Sequence, residues 1–274
     1  MVPLEKIQRV FLDMDGTIYR GSRLFPTTLP FLDFLKERKI GYTFLSNNSS
    51  YSIPEYVEKL KQMGIHAERS NFYTSTEYTI DHLHQSYPSV HRLHVLAMDS
   101  VRRTFQEAGF ELDEKNPQAV VIAFDRSLTC EKLCRTAYFL HRGLPGFATH
   151  PDVYCPTDRE TWLIDCGAIT RALEISTNTR IKTLGKPDPG MLREAAKRYG
   201  VDPHQCLMAG DRLATDISLG IHAGAVTCHI LSPEADLLPP EGIVPDYQVR
   251  DLGELQTIWT NRERQQKNNK EKEL

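Results

Sequence analysis

Two aspartates one residue apart, Asp13 and Asp15, follow the apolar run Val10-Phe11-Leu12 and precede Gly16 and Thr17. Carboxylates that close repel each other and resist joint burial unless a cation or a proton compensates. The pair therefore points to a metal ligand set, to an acid/base pair, or to both; the bland alternative is a strand ending in an Asx turn. Further groups of related character recur along the chain: Ser46-Asn47, Lys186 within Gly185-Lys186-Pro187, and Gly210-Asp211 with Asp216. The inventory is one cation, several carboxylates and a hydroxyl/amide pair, which suits a divalent metal and a phosphoryl group. Oxygen ligands favour Mg²⁺, which keeps waters and takes one or two carboxylates plus a phosphate oxygen. A nucleophilic carboxylate would split hydrolysis into two displacements through an aspartyl-phosphate. Each group also has an ordinary reading by itself. Lys186 could be a solvated loop lysine, Ser46 and Asn47 turn formers, Asp211 a helix cap and Asp216 an exposed helical acid.

For these residues to meet, the chain must place them at one edge of a sheet. Val10–Leu12 reads as a buried parallel strand that stops at Asp13. Residues 16–26 read as a hairpin-like loop, followed by a helix from Thr27 or Thr28 to about Lys39, a strand at 42–45 and a helix at 54–63. Strand and helix alternating in this rhythm imply right-handed crossovers and a parallel sheet, with all strand carboxyl ends on one edge. A second unit is expected from about residue 78, with strands at 92–98, 119–124 and 147–149 and helices at 100–108, 129–142 and 166–175. The first unit resumes near Ile181, with a helix at 188–199 and a strand at 206–209 that ends at Gly210-Asp211. A helix to about Gly220, strands at 226–231 and 247–250 and a helix at 252–258 complete it. The polar tail 261–274 is expected to be disordered.

Composition narrows the classes. The chain has 274 residues, 40% hydrophobic and 25% charged, which suits a soluble globular protein. Its formal net charge of −3 supplies no basic field for nucleic acid or an anionic membrane. No apolar run approaches the ~20 residues of a membrane span, and the first residues lack a signal-peptide core. Six cysteines show no Cys-x-x-Cys pair, so a cytoplasmic protein with reduced thiols is expected. His82, His84, His91 and His94 crowd one stretch but lack an acid or cysteine to complete a metal set, and read as a surface cluster. Cys130 and Cys134, one helical turn apart, read as half-buried packing residues.

Taken in order, Asp13-x-Asp15-Gly-Thr17, Ser46-Asn47, Lys186 and Gly210-Asp211-x-x-x-x-Asp216 resemble the four motifs of the haloacid dehalogenase-like superfamily. More narrowly, Asp-Gly-Thr-Ile-Tyr-Arg-Gly, Ser-Asn-Asn-Ser and Gly-Asp-Arg-Leu-x-Thr-Asp resemble its NagD-like branch, which includes p-nitrophenyl phosphatases. The resemblance implies an α/β fold: a doubly wound, Rossmann-like parallel-sheet core from residues 1–77 and 182–260, with an inserted α/β cap at 78–181. It implies that Asp13 is the nucleophile and a Mg²⁺ ligand, and that Asp15 is the general acid/base and gives its carbonyl to the metal. It further implies that Asp211 binds Mg²⁺, that Asp216 orders the surrounding shell, and that Ser46, Asn47 and Lys186 hold the phosphate. Dehalogenases of the superfamily lack the second aspartate, so Asp15 favours hydrolysis of a phosphomonoester, and a general acid in that role needs a raised pKa.

The expected activity is thus that of a Mg²⁺-dependent phosphatase acting on a small phosphorylated metabolite, such as a sugar phosphate. No nucleic-acid or membrane partner is expected, and a homo-oligomer stays open. A phosphomutase or phosphotransferase, or a phosphometabolite-binding protein with weak catalysis, is the alternative. The family usually has Asn-Pro-Asp where this chain has His150-Pro151-Asp152, and small apolar residues near Leu163-Ile164-Asp165-Cys166. His150, Asp152, Asp165 and Cys166 are therefore candidate leaving-group contacts, with a structural role the other reading.

Overall fold

The structure, a computed structural model, describes residues 4–155, 160–231 and 241–272. In chain order the elements begin with β1 (Arg9–Leu12), a hairpin of β2 (Tyr19–Arg20) and β3 (Arg23–Leu24), α1 (Thr28–Glu37), β4 (Gly41–Ser46) and α2 (Ile53–Gln62). Next come β5 (Phe72–Thr74), α3 (Ser75–Ser86), β6 (Arg92–Leu96), α4 (Asp99–Glu107), β7 (Glu111–Leu112) and β8 (Ala119–Ile122). They continue with α5 (Cys130–His141), β9 (Gly146–Ala148), β10 (Tyr154–Cys155), β11 (Leu163–Ile164), α6 (Cys166–Thr177) and β12 (Lys182–Thr183). The last are α7 (Pro189–Arg198), β13 (Cys206–Gly210), a π-helical turn at Leu213–Ile217, α8 (Ser218–Ala223), β14 (Val226–Ile230), β15 (Tyr247–Val249) and α9 (Leu252–Lys272).

The chain divides into two compact units. The first comprises Met1–Leu45, Lys61–Phe72 and Pro187–Leu274; the second comprises Ser46–Leu60 and Tyr73–Lys186. Relative to the division expected at 77/78 and 181/182, this grouping also gives residues 46–60, 73–77 and 182–186 to the second unit.

In the first unit β1 pairs in parallel with both β4 and β13, and β13–β14–β15 continue in parallel. The six-stranded sheet has the order β15-β14-β13-β1-β4-β5. Val10, Phe11 and Leu12 are fully buried, as are Cys206 to Ala209, so the central strands are covered on both faces. That is why they read as continuous apolar runs rather than alternating ones. The second unit has its own sheet, β12-β9-β8-β6-β7, parallel throughout. Helices α5 and α6 pack together over a core that includes Val120, Ile122, Phe139, Ile169 and Cys166.

Helix α9 runs on through Lys272, into the polar stretch 261–274 that the sequence reads as a tail; residues 273–274 lie outside the described residues. Its first half is anchored by buried Leu252, Leu255 and Trp259 at helical spacing. Beyond that point Glu, Lys, Arg and Gln are good helix formers, so a nucleated helix propagates without an apolar face. Among the described residues no helix is long and apolar enough to cross a membrane.

Candidate active site

Strands β1 and β13 lie side by side in register Leu12↔Ala209, and the Asp13 N–H extends that ladder by donating to the Ala209 carbonyl at 2.9 Å. Asp13 and Asp211 therefore leave the sheet on neighbouring strands at its carboxyl edge, where doubly wound folds place ligands. Past Asp13 the chain winds tightly, with the Met14 carbonyl accepting the N–H groups of Thr17, Ile18 and Tyr19 at 3.2, 2.9 and 3.3 Å. Gly16 adopts φ +87° in this turn, and a Cβ placed on it would fall 2.2 Å from Asp211 Oδ2. Only glycine lets the loop lie so close to that carboxylate.

After Asp211 the π-helical turn carries Asp216 back to the strand end. There its Oδ2 accepts the Arg212 N–H at 3.1 Å. Gly210 makes the room, since a Cβ there would lie 2.3 Å from Asp216 Cγ. The Asp211 carbonyl is held by His229 Nε2 at 3.0 Å. As a result, carboxylate oxygens of Asp13, Asp211 and Asp216 all lie within 4.8 Å of one another. Asp13 is 9% exposed, Asp211 4% and Asp216 1%. Three acids gathered with so little water repel strongly, and a cation among them offsets that repulsion. An all-oxygen donor set selects a hard ion of the Mg²⁺ or Ca²⁺ type over zinc, which prefers nitrogen and sulfur. The Asp15 side chain is exposed and stands outside this group.

The second unit contains the other residues singled out from the sequence. Ser46 ends β4, and its Oγ accepts the Asn48 N–H at 3.2 Å, an ordinary hydroxyl turn. The buried Asn47 side chain grips the main chain of Lys186 at both ends: Oδ1 accepts the Lys186 N–H at 2.7 Å, and Nδ2 donates to the Lys186 carbonyl at 2.9 Å. Asn47 Nδ2 also lies 3.4 Å from Asp152 Oδ1. Gly185, at φ +75°, packs so closely that a Cβ would meet the Thr149 carbonyl at 2.6 Å and Asn47 Oδ1 at 2.7 Å.

Of the candidate leaving-group contacts, Asp165 caps α6 by accepting the Cys166 N–H at 2.5 Å. Cys166 belongs to the apolar core of its unit, where burial pushes its thiol up to about 11. It is fully buried there, which suits the structural role that is its other reading. His150 is fully buried and touches Ser49, a residue the sequence reading did not single out. The available signal was the Ser-Asn-Asn-Ser run itself, whose last hydroxyl lies within reach of the same turn.

The four clustered histidines do not converge. His82 sits among the rings of Tyr78, Tyr87 and Phe147, His84 stacks on Phe110 at 4.7 Å, and His91 is exposed. His94, expected at the surface, is instead buried between Glu114 at 2.7 Å and Thr136 at 2.9 Å, because β6 points it at α5. Cys130 and Cys134 are exposed rather than half-buried, with sulfurs 3.8 Å apart on one face of α5.

Comparison with known proteins gives a consistent picture. A family model described as haloacid dehalogenase-like hydrolase matches residues 10–111, and a second, HAD-hydrolase-like, matches residues 183–255. The chain is 29% identical over 254 residues to an acid sugar phosphatase of Staphylococcus aureus, covering 92% of this chain and 97% of that one. It is 32% identical over 216 residues to a 5′-nucleotidase of Bacillus subtilis, covering 79% and 84%. Among solved structures, a 4-nitrophenylphosphatase from Thermotoga maritima superposes with a TM-score of 0.86 at 36% identity, covering 93% of this chain and 98% of that one.

Proposed function

Because this chain belongs to the haloacid dehalogenase-like hydrolases, we propose that it is a Mg²⁺-dependent phosphatase that cleaves a small-molecule phosphomonoester through a phosphorylated Asp13. The observation that carries this reading is the gathering of Asp13, Asp211 and Asp216 oxygens within 4.8 Å at the carboxyl ends of β1 and β13. Asp13, Asp211 and the Asp15 carbonyl would hold the ion, with Asp216 ordering the shell around it, and the Gly16 backbone closes over Asp211. When bound, Mg²⁺ supplies positive charge that offsets the phosphoryl oxygens.

Asp13 attacks phosphorus with one carboxylate oxygen, and the P–O bond to the ester oxygen breaks. Asp15, on the exposed turn after β1, gives its proton to that leaving oxygen. It then takes a proton from the water that attacks the phosphorylated Asp13, releasing inorganic phosphate and restoring both aspartates. Ser46, Asn47 and Lys186 bind the phosphate oxygens, with Lys186 countering their charge. Residues 78–181 act as the cap that recognises the leaving group, and the protein works in the cytoplasm on a metabolite. The names of the relatives support small phosphate esters, sugar phosphates and nucleoside monophosphates among them, as the class to test first.

The test is a broad phosphate-ester panel, p-nitrophenyl phosphate included, run with Mg²⁺ and after chelation. Turnover should require the metal and fall on the order of 10³-fold or more in Asp13→Asn, with the fold intact. Asp13→Asn turnover equal to wild type would overturn the reading. Bisphosphate isomerisation without release of phosphate would instead indicate a mutase.

A further inference from the structure

The two exposed cysteines of α5 have no part in the proposed reaction. Cys130 is the first residue of the helix and Cys134 lies one turn on, so both side chains sit on one solvent-facing stripe, with sulfurs 3.8 Å apart. The turn that carries them is held firmly. Thr129 caps it: its hydroxyl oxygen accepts the Lys132 N–H at 3.2 Å, and its carbonyl accepts the Leu133 N–H at 3.1 Å. The Lys132 ammonium ties the same turn to the loop after β8, through buried Asp125 at 2.7 Å and the Ser127 hydroxyl at 2.7 Å. Of the other cysteines, Cys155 is half-exposed and Cys166, Cys206 and Cys228 are buried.

The separation of the sulfurs decides what the pair can do. A disulfide needs its sulfurs about 2.03–2.05 Å apart and its Cβ atoms about 3.5–4.5 Å apart, whereas residues four apart on a helix hold their Cβ atoms about 5–6 Å apart. Closing that bond would unwind the turn that Thr129 and Lys132 hold. A centre that bonds both sulfurs at about 2.3 Å, the length zinc shows, needs them about 3.5–3.8 Å apart at pyramidal to tetrahedral angles. The observed spacing meets that requirement with the helix intact. The number of ligands then selects the centre. Zinc takes four, and among the described residues no third histidine, cysteine or carboxylate gathers with the pair. Trivalent arsenic bearing one organic group makes bonds of similar length to sulfur, and two sulfurs complete its three bonds.

We propose that Cys130 and Cys134 form a two-sulfur binding site for trivalent organoarsenicals. With an arsenoxide, R–As=O, two As–S bonds form and the As=O bond breaks. The oxygen leaves as water, carrying both thiol protons, and neither arsenic nor sulfur changes oxidation state. The second bond closes within the chain, so the pair holds the arsenical more tightly than one thiol does. Because the native helix already sets the spacing, the folded protein binds more tightly than the unfolded chain, and occupancy stabilises the fold.

The experiment treats the full chain with phenylarsine oxide and follows intact mass, Ellman-reactive thiols and the melting curve. One arsenical per chain should remove both exposed thiols together. The adduct should survive excess mercaptoethanol and be released by ethanedithiol. Cys130→Ser and Cys134→Ser should each weaken binding on the order of 100-fold or more. The melting temperature of the wild-type adduct should rise, with its helical circular dichroism unchanged. Equal affinity in either single variant would overturn the proposal, as would a mercaptoethanol-resistant adduct that persists in Cys130→Ser/Cys134→Ser. A fall in melting temperature with loss of helical signal would do the same, since the bridge would then distort the turn rather than fit it. None of these readouts depends on phosphate-ester turnover, so the phosphatase reading and this one fail separately.

Discussion

Gly16 and Asp211 are in contact across the carboxyl edge of the sheet, at a separation that leaves no room for a methyl group: a Cβ on Gly16 would stand 2.2 Å from Asp211 Oδ2. Gly16→Ala should therefore act twice. The left-handed φ of +87° costs a non-glycine residue about 1–2 kcal/mol. The new methyl must also displace the Asp211 carboxylate from its place beside Asp13 and Asp216. Titration calorimetry should show Mg²⁺ binding weakened about tenfold or more, with only a modest fall in the melting temperature. Unchanged metal affinity would mean that Asp211 is not a ligand.

The long C-terminal helix separates a buried anchor from a surface contact. Trp259 is fully buried and meets Phe34 edge-on, with ring centroids 5.8 Å apart. Trp259→Ala should destabilise the first unit by about 3–5 kcal/mol. Four residues on, Glu263 pairs with Arg38 through both carboxylate oxygens at 2.9–3.2 Å, with each side chain 28% exposed. Glu263→Ala should cost under about 1 kcal/mol, because solvent screens the pair and fixing two long side chains opposes it. Urea unfolding followed by tryptophan fluorescence for Glu263→Ala, and by circular dichroism for Trp259→Ala, measures the two. Comparable losses would contradict this ranking.

Where burial is two-sided and continuous, the sequence alone was enough. Val10-Phe11-Leu12 and Cys206-Leu-Met-Ala209 carry no polar interruption, so their strands and the acids at their ends could be placed by inspection. Parallel strand direction puts Asp13 and Asp211 on one sheet edge, and the adjacency of β1 and β13 brings them together. Elements stabilised by few contacts were harder. The two-residue strands β7, β10, β11 and β12 have no period to detect, and the polar half of α9 has no apolar face. Asp216 was read within a regular helix, yet a π-helical turn carries it back to Arg212. Nor could spacing reveal the pairing of Ser49 with His150, which are 101 residues apart.

Thiol reactivity should divide by burial. Cys130 and Cys134 are exposed, and their mutual hydrogen bond, followed by their charge interaction, raises the Cys134 thiol. Burial pushes Cys166 up to about 11 and Cys206 up to about 12, and raises Cys228 as well. Ellman's reagent at pH 8 should modify Cys130 and Cys134 in the native protein, with half-exposed Cys155 slower, and reach the other three only in denaturant. Peptide mapping identifies the sites. Rapid native labelling of Cys228 would show that its strand opens readily.

Acid should weaken the second unit in two stages, the first set by His94. Burial is the largest influence on this imidazole and lowers its pKa below the ordinary 6.5, although the Glu114 carboxylate 2.7 Å away pulls upward; Arg102 and Arg135 add to the lowering. Glu114 would be raised by its own burial, but His94 and the Arg102 hydrogen bond outweigh this and hold it below 4.5. In both cases the folded state binds its proton less readily than the unfolded chain does. The histidine contribution is therefore complete above about pH 6.5 and fades as pH falls from there toward the folded value. The glutamate contribution is present above 4.5 and fades as pH drops through its own folded value. His94→Gln, which can keep one hydrogen bond to Thr136 or Glu114, should lose the first stage and leave a smaller second stage, the part that Arg102 sustains. Melting temperatures across pH 7.5 to 4 for the two proteins test this. If wild type and His94→Gln decline in parallel between about pH 6.5 and 5.5, the buried imidazole is not the group responsible.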